Sequence, residues 1–283
     1  MSVQLGLIGF PLQHSESQKL HEHALQVLNL EGSYRLWEIK PGPDGLEALA
    51  SRVQALREGR IQGLNVTIPY KEIILPLVDS LSPAAQAVGA VNTLYREPSA
   101  SRVVGHNTDS PGFWKDLQNL LSWNEHGTQP AALILGAGGA ARAVTHALTS
   151  RHWTVTVAAR RPDQAERLAA DFQNQPGNVI AWHLDPRVEP DPTGCRLIVN
   201  ATPVGTAPET HRSPWPEAWT LPADSAVYDL VYHPRDTLFM KQARKHELPV
   251  RNGLGMLVEQ AALAFSRWTG QKPPRNIMRR AVR

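Results

Sequence analysis

Residues 131–135 (AALIL) form an apolar run that passes without interruption into Gly136-Ala137-Gly138-Gly139-Ala140-Ala141-Arg142, and this junction constrains the chain more than any other part of it. A helical pattern follows to about residue 150, and a second apolar strand follows at 154–158. Strand, glycine turn, helix and strand within about 30 residues is the size of a βαβ dinucleotide-binding unit. The turn fits G-x-G-x-x-A. Gly136 would turn the chain tightly, Gly138 would let backbone amides approach a pyrophosphate, and the small Ala141 would let helix pack on strand. The helix N-terminus then faces the phosphates. Gly136, Ala137, Gly138, Gly139 and Ala140 are thus the candidate cofactor contacts, and a glycine-rich turn with no ligand is the competing reading.

The choice of cofactor is readable one strand later. Sites for NAD usually place an Asp or Glu about 20 residues after the glycines, bonded to the ribose hydroxyls. Here the strand runs into Ala159-Arg160-Arg161. Two guanidiniums suit a 2′-phosphate, which Arg binds with paired charged hydrogen bonds while stacking on adenine. Arg160 and Arg161 therefore favour NADP over NAD. A solvated charged turn is the plainer alternative, and Asp163, directly after Pro162, reads as the start of the next helix.

The rest of the second half continues the alternation, with strands at 179–182, 197–201 and 226–230 and helices at 163–172 and 237–246: a doubly wound pattern. The proline-dense stretches 185–192 and 203–222 read as loops, and 254–268 reads as an apolar helix. The first half also alternates. A strand at 5–8, a helix through Leu20, Ala24, Val27 and Leu28, a helix at 45–57, a strand at 63–68 closed by Pro69, and strands at 88–95 and around Val103 predict a mainly parallel sheet. Ser110-Pro111 starts a helix marked by Phe113, Leu117, Leu120 and Leu121. The polar stretch 124–130 behind it marks the neighbourhood of a domain boundary, with that helix as a hinge. A chain of 283 residues suits two α/β domains.

Composition removes several function classes. A single cysteine, Cys195, permits neither an intramolecular disulfide nor a thiolate metal cluster and suits a reducing, cytoplasmic setting. His21 and His23, two apart in a helical pattern, point to different faces, so no metal is expected. No apolar run approaches the roughly 18 residues of a membrane span. Lys plus Arg number 29 against 26 acids, a net +3 spread along the chain apart from a tail of Arg275, Arg279, Arg280 and Arg283. That gives nucleic-acid binding little support. A small acidic ligand fits better.

Four polar segments in the first half offer a substrate site. In His14-Ser15-Glu16-Ser17-Gln18, two hydroxyls and a positive helix end can hold a carboxylate. Ser15 with Gln18 also reads as a capping box. In residues 63–71 (GLNVTIPYK), Lys71 falls in the first turn of a helix, where the dipole should lower its pKa and let it trade protons. The alternative is a solvated surface lysine. The other two segments are 89–93 (GAVNT) and 105–112 (GHNTDSPG), where Asp109 or Ser110 can serve simply as the N-cap ahead of Pro111. If Lys71 and Asp109 meet across strand ends, they make an acid/base pair.

Together with LGLIGFPLQHSES at 5–17, GAGGAA at 136–141, NATPVG at 200–205, YDLVY at 228–232 and GLGMLVEQ at 253–260, these segments resemble the shikimate dehydrogenase family over nearly the whole chain, in order. The resemblance implies reversible NADPH-dependent reduction of 3-dehydroshikimate to shikimate, on the route through chorismate to aromatic amino acids. It implies that Ser15 and Ser17 bind the substrate carboxylate and that Thr67, Asn92, Tyr232 and Gln260 bind ring oxygens. Lys71 would give a proton to the ketone oxygen, Asp109 would hold the amine and a neighbouring hydroxyl, and Leu230 and Gly253 would lie at the nicotinamide end. It also implies a substrate domain at 1–110 completed by 254–283, a Rossmann-like NADP-binding domain at 111–253, a C-terminal helix returning to the first domain with the cleft between domains, and a monomer or homodimer. Three segments depart from the family pattern: Ala159-Arg160-Arg161 replaces the common Asn-Arg-Thr, Gln18 replaces a frequent Pro, and Pro203 a frequent Ser. The competing readings are a quinate/shikimate dehydrogenase using NAD(P), a non-catalytic NADP-binding sensor on the same fold, and a distant relative such as a folate-linked dehydrogenase.

Overall fold

The computed structural model describes residues 2–97, 101–120, 129–185, 187–188 and 194–282. The chain folds as two units, one of Met1–Gly112 with Leu257–Arg283 and one of Phe113–Met256. The polar stretch at 124–130 lies mostly outside the described residues, as do Leu121 and most of 185–192.

In the first unit the elements run β1 (Val3–Gly9), α1 (Ser17–Val27), β2 (Gly32–Glu38), α2 (Pro43–Arg57), β3 (Gly63–Val66), α3 (Tyr70–Ile73), a single 3-10 turn, β4 (Ser80–Leu81), α4 (Pro83–Val88), β5 (Thr93–Arg96), β6 (Val103–His106) and α5 (Asp109–Leu117), whose first turn belongs here. The sheet order is β2-β1-β3-β5-β6-β4. Leu5, Leu7 and Ile8 of β1 and all of β3 are buried, as strands covered on both faces must be. β5 alone is antiparallel to its two neighbours, β3 and β6. Its beginning therefore lies at the edge where β1, β3 and β6 end.

Residues 88–95, read from sequence as one strand, divide differently. Val88 ends α4, Gly89 closes it in the left-handed conformation (φ 68°), and pairing starts only at Thr93. The apolar run Val88–Val91 is buried in a helix end and a loop, which periodicity alone cannot distinguish from a strand.

The second unit continues with β7 (Ala131–Leu135), α6 (Gly139–Thr149), β8 (Thr154–Ala159), α7 (Pro162–Asp171), β9 (Asn178–His183), β10 (Cys195–Asn200), β11 (Ala226–Asp229), α8 (Leu238–Lys245) and β12 (Val250–Asn252). All six strands are parallel in the order β12-β11-β10-β7-β8-β9. In this unit's own count that is 3-2-1-4-5-6, the Rossmann order. Side chains of β7 alternate between two cores. Ala132 and Ile134 pack with Val144, Leu148, Val157 and Phe172, whereas Leu133 and Leu135 pack with Ile198, Trp215, Trp219 and Phe239. The proline-dense segment 203–222 thus contributes two tryptophans to the core.

The chain ends with α9 (Leu254–Thr269) and α10 (Arg275–Ala281). Met256 packs in the second unit's core, and from Leu257 onward the chain belongs to the first unit. A Cβ on Gly63 would stand 2.3 Å from the Trp268 ring, so only glycine lets α9 lie this close to β3, and Trp268 Nε1 donates to the Leu94 carbonyl at 2.9 Å. Arg275, Arg279 and Arg280 of the basic tail lie on α10, where Arg275 pairs with the buried Glu259 at 2.6 Å and Met278 is fully buried; Arg283 lies outside the described residues.

Inside the first unit His21 is completely buried and stacked on Tyr34, ring centroids 4.4 Å apart, with Phe265 and Trp268 around it. Neither ring nitrogen makes a well-aligned hydrogen bond. Burial pushes this imidazole down from 6.5 to about 3, against a smaller opposing pull from the Asn65 amide.

Candidate active site

The first unit's polar segments gather at one sheet edge. β3 runs into Thr67 and then α3 with Lys71, β6 runs into α5 with Asp109, and the antiparallel β5 is entered through Asn92. Backbone bonds fix the join: Val66 N–H donates to the Asn92 carbonyl (2.8 Å), and Asn92 N–H to the His106 carbonyl (3.1 Å).

Lys71 Nζ meets Asp109 Oδ2 at 2.6 Å, with side chains 16 % and 6 % exposed. This is a charge-assisted pair with little water around the carboxylate. Asp109 Oδ1 accepts from Asn92 Nδ2 at 2.8 Å, and the same amide lies 3.3 Å from Gln260 Oε1 of α9. Asn92 is held in turn. Its Oδ1 accepts from Thr108 N–H (2.8 Å) and from Thr93 Oγ1 (3.0 Å), which leaves the NH₂ to face the carboxylate. Lys71, Asp109, Asn92 and Gln260 thus form one connected cluster.

Asp109 does not cap α5. Asn107 Oδ1 accepts from Ser110 N–H at 3.1 Å, so Asn107 stabilises the helix start and leaves Asp109 to its partners. The capping box does not form either: Ser15 Oγ accepts from Ser17 N–H two residues on, and Gln18 reaches forward to Glu22. Among the described residues no hydrogen bond joins the side chains of Ser15, Ser17 or Thr67 to the Lys71 cluster. Thr67 is half-buried, its methyl group against Gly9. The helix carrying Lys71 is one turn long, so the charge facing the ammonium is the Asp109 carboxylate rather than a developed dipole. Thr93, Asn107 and Thr108 stand inside the polar segments 89–93 and 105–112, but sequence reasoning gave them no role. Their signal was their place: three hydrogen-bonding residues within two positions of Asn92 or Asp109.

In the second unit Gly136 has φ +111°, a conformation that favours glycine. A Cβ there would lie 3.1 Å from the Ala201 carbonyl oxygen and the Thr202 methyl group, whereas a Cβ on Gly138 would meet nothing within 4 Å. Gly138 is thus open space above the N-terminus of α6, whose first-turn amides have no side-chain cap. Arg160 and Arg161 are exposed at the end of β8, and among the described residues neither pairs with an acid. An uncapped helix start, an open glycine and two uncommitted guanidiniums fit a dinucleotide bearing a 2′-phosphate. On the far side of the switch point Gly253 lets its backbone press on Leu230, whose carbonyl oxygen would stand 2.1 Å from any Cβ. Tyr232 is half-buried two residues beyond.

Known proteins carry the same plan. The profile of the shikimate dehydrogenase substrate binding domain matches residues 7–94, and that of the shikimate 5'-dehydrogenase C-terminal domain matches residues 253–283. Shikimate dehydrogenase (NADP(+)) of Salinibacter ruber is 39 % identical over 281 residues, covering 98 % of this chain and 95 % of its own. Its namesake from Thermus thermophilus is 41 % identical over 281 residues, covering 99 % and 98 %. The crystal structure of a Thermus thermophilus shikimate 5-dehydrogenase with NADP(H) and shikimate superposes with a TM-score of 0.82 at 39 % identity, over 99 % of this chain and 98 % of that one. With such identity along almost its full length, and with the same two-sheet architecture, the chain belongs to the shikimate dehydrogenase family.

Proposed function

We propose that the protein is an NADP-dependent shikimate dehydrogenase, interconverting 3-dehydroshikimate and shikimate for aromatic amino acid biosynthesis in the cytoplasm. The observation that carries this reading is the Lys71–Asp109 pair at 2.6 Å, braced by Asn92. A chain that only sensed NADP would have no use for a proton-transfer pair on its other unit.

NADP would be held by Gly136–Ala140 through backbone amides, by Arg160 and Arg161 through the 2′-phosphate, and by Leu230 and Gly253 at its nicotinamide end; when bound it supplies or removes the hydride. The chain's own residues manage the proton and the fit. Lys71 donates its proton to the ketone oxygen during reduction and takes it back from the hydroxyl in the reverse direction. Asp109 keeps the ammonium aimed and accepts from a neighbouring substrate hydroxyl. Asn92, Gln260, Thr67 and Tyr232 bind ring oxygens, and Ser15 and Ser17 bind the carboxylate at the start of α1. A site lined this way rejects analogues that lack a hydroxyl, because its buried polar groups would be left unpaired.

The test follows nicotinamide absorbance with purified protein and shikimate or quinate, each with NADP and with NAD. Turnover with shikimate and NADP alone is the expected result. Quinate or NAD turnover would move the protein to the quinate-using dehydrogenases, and silence in all four mixtures with NADP still bound would make it a sensor.

A further inference from the structure

At the C-terminal edge of the second unit's sheet lies a carboxylate with no part in the scheme above. Asp229, the last residue of β11, is fully buried. Three donors converge on it: Asn200 Nδ2 (2.8 Å) and Val231 N–H (3.0 Å) on Oδ1, and Thr237 Oγ1 (2.6 Å) on Oδ2. They come from three segments. Asn200 ends β10 and fastens the loop behind it, its Oδ1 accepting from Thr202 Oγ1 (2.6 Å) and N–H (3.0 Å), its amide donating to the Val204 carbonyl (3.1 Å). Val231 follows Leu230, and the Val231 contact closes a tight turn around Leu230. Thr237 caps α8 through Met240 N–H.

The place matters as much as the contacts. Asn200 is in register with Leu135, the residue before the glycine turn, so these loops flank the point where the strand order reverses, and doubly wound sheets bind ligands there. Leu230 is clamped between neighbours, its N–H on the Asn200 carbonyl (2.9 Å) and its own carbonyl against Gly253. We infer that Asp229 is a positioning residue that sets the loops 200–204 and 230–232 at the reacting end of the cofactor site, without touching cofactor or substrate. The inference rests on the proposed function, since it assigns Leu230 and Tyr232 to that end.

The experiment uses the full chain with Asp229→Ala, Asp229→Asn and Thr237→Val. It measures kcat and KM for shikimate and NADP, with the affinity for adenosine 2′,5′-bisphosphate, which reports the phosphate end alone. Asp229→Ala should lower kcat/KM for shikimate about 10- to 100-fold, the scale of a misplaced reacting group, while the bisphosphate affinity stays unchanged. Asp229→Asn should restore most of the loss, because its oxygen can keep the Asn200 and Val231 donors and its NH₂ can donate to Thr237 Oγ1. A folded Asp229→Ala protein with native kcat/KM overturns the inference, and so does a parallel loss of bisphosphate affinity, which would mean support of the fold alone. If Asp229→Ala does not fold, Thr237→Val, which removes only the Oδ2 donor, must show the same split in smaller degree or the inference fails. A native protein that binds the bisphosphate yet is silent with shikimate refutes the proposed function and takes this inference with it.

Discussion

His21 should make the first unit acid-sensitive, and the size of the effect follows from its surroundings. The unfolded chain protonates this imidazole near pH 6.5, but the folded chain resists until about pH 3, because the ring is sealed among Tyr34, Phe265 and Trp268. Above 6.5 the ring is neutral in both states and has no effect. Below it the unfolded state binds a proton that the folded state refuses, and stability falls by about 1.4 kcal/mol per pH unit. The loss is about 2 kcal/mol at about pH 5.0 and about 4 kcal/mol at about pH 3, where the folded ring begins to take up the proton as well. His21→Phe keeps an aromatic ring in the stack and removes the titration. Urea unfolding of both proteins at about pH 7.5 and pH 5.0, followed by tryptophan fluorescence, gives the comparison. The readout is the difference between the two pH values within each protein, so a constant packing cost of Phe cancels. The native protein should lose about 2 kcal/mol more than the variant across that interval. Equal losses would show that the ring is already protonated when folded, and the reasoning would fail.

Three further outcomes are expected. Lys71→Ala or Asp109→Ala should lower turnover by about 10²- to 10⁴-fold with the fold retained, as loss of a general acid/base does; full steady-state activity in Lys71→Ala would remove its role. Arg160→Ala should raise the KM for NADP far more than that for NAD, and equal effects would mean that this guanidinium does not read the 2′-phosphate. Burial raises the Asp229 carboxyl from 3.8 to about 6, so the stability it contributes is complete below about pH 4 and is lost as pH rises through 6. Asp229→Asn should therefore gain on the native protein by up to about 3 kcal/mol between pH 4 and neutrality, and denaturation curves that run parallel across that range would contradict it.

The second unit was the more legible half. Its strands β7, β8, β10 and β11 are largely buried, so they stand in the sequence as nearly continuous apolar runs, and Gly136 and Gly138 announce the turn between the first strand and its helix. What sequence missed there is short or one-sided: β12 has three residues, all half-buried. In the first half β2 was passed over because Tyr34 is its one buried residue and nothing in Ser33-Tyr34-Arg35 alternates cleanly. The residues alone showed the cluster as separate polar segments with a conditional Lys71–Asp109 pairing, and only the resemblance joined Asn92 and Gln260 to it. Nothing in a linear pattern shows that β5 runs antiparallel, and only that reversal brings Asn92, ahead of its strand, beside residues that follow theirs. Asp229 escaped for a related reason: a single acid at a strand end reads as a turn residue until its donors are known.

The first unit is made of two pieces of chain with all of the second unit between them. During synthesis residues 1–112 emerge first, yet the helix that packs on Gly63 and bonds the Leu94 carbonyl emerges only after residue 256. The second unit has its whole sequence before then and can fold as a unit while the earlier piece waits with only α1 on the face that α9 completes. The Lys71–Asp109 pair is encoded in the first piece, but Gln260, which closes on Asn92, lies in the last. A chain cut short before residue 257 therefore carries the Lys71–Asp109 pair without Gln260, and exposes the apolar surface around His21 and Gly63, which marks it for aggregation or removal.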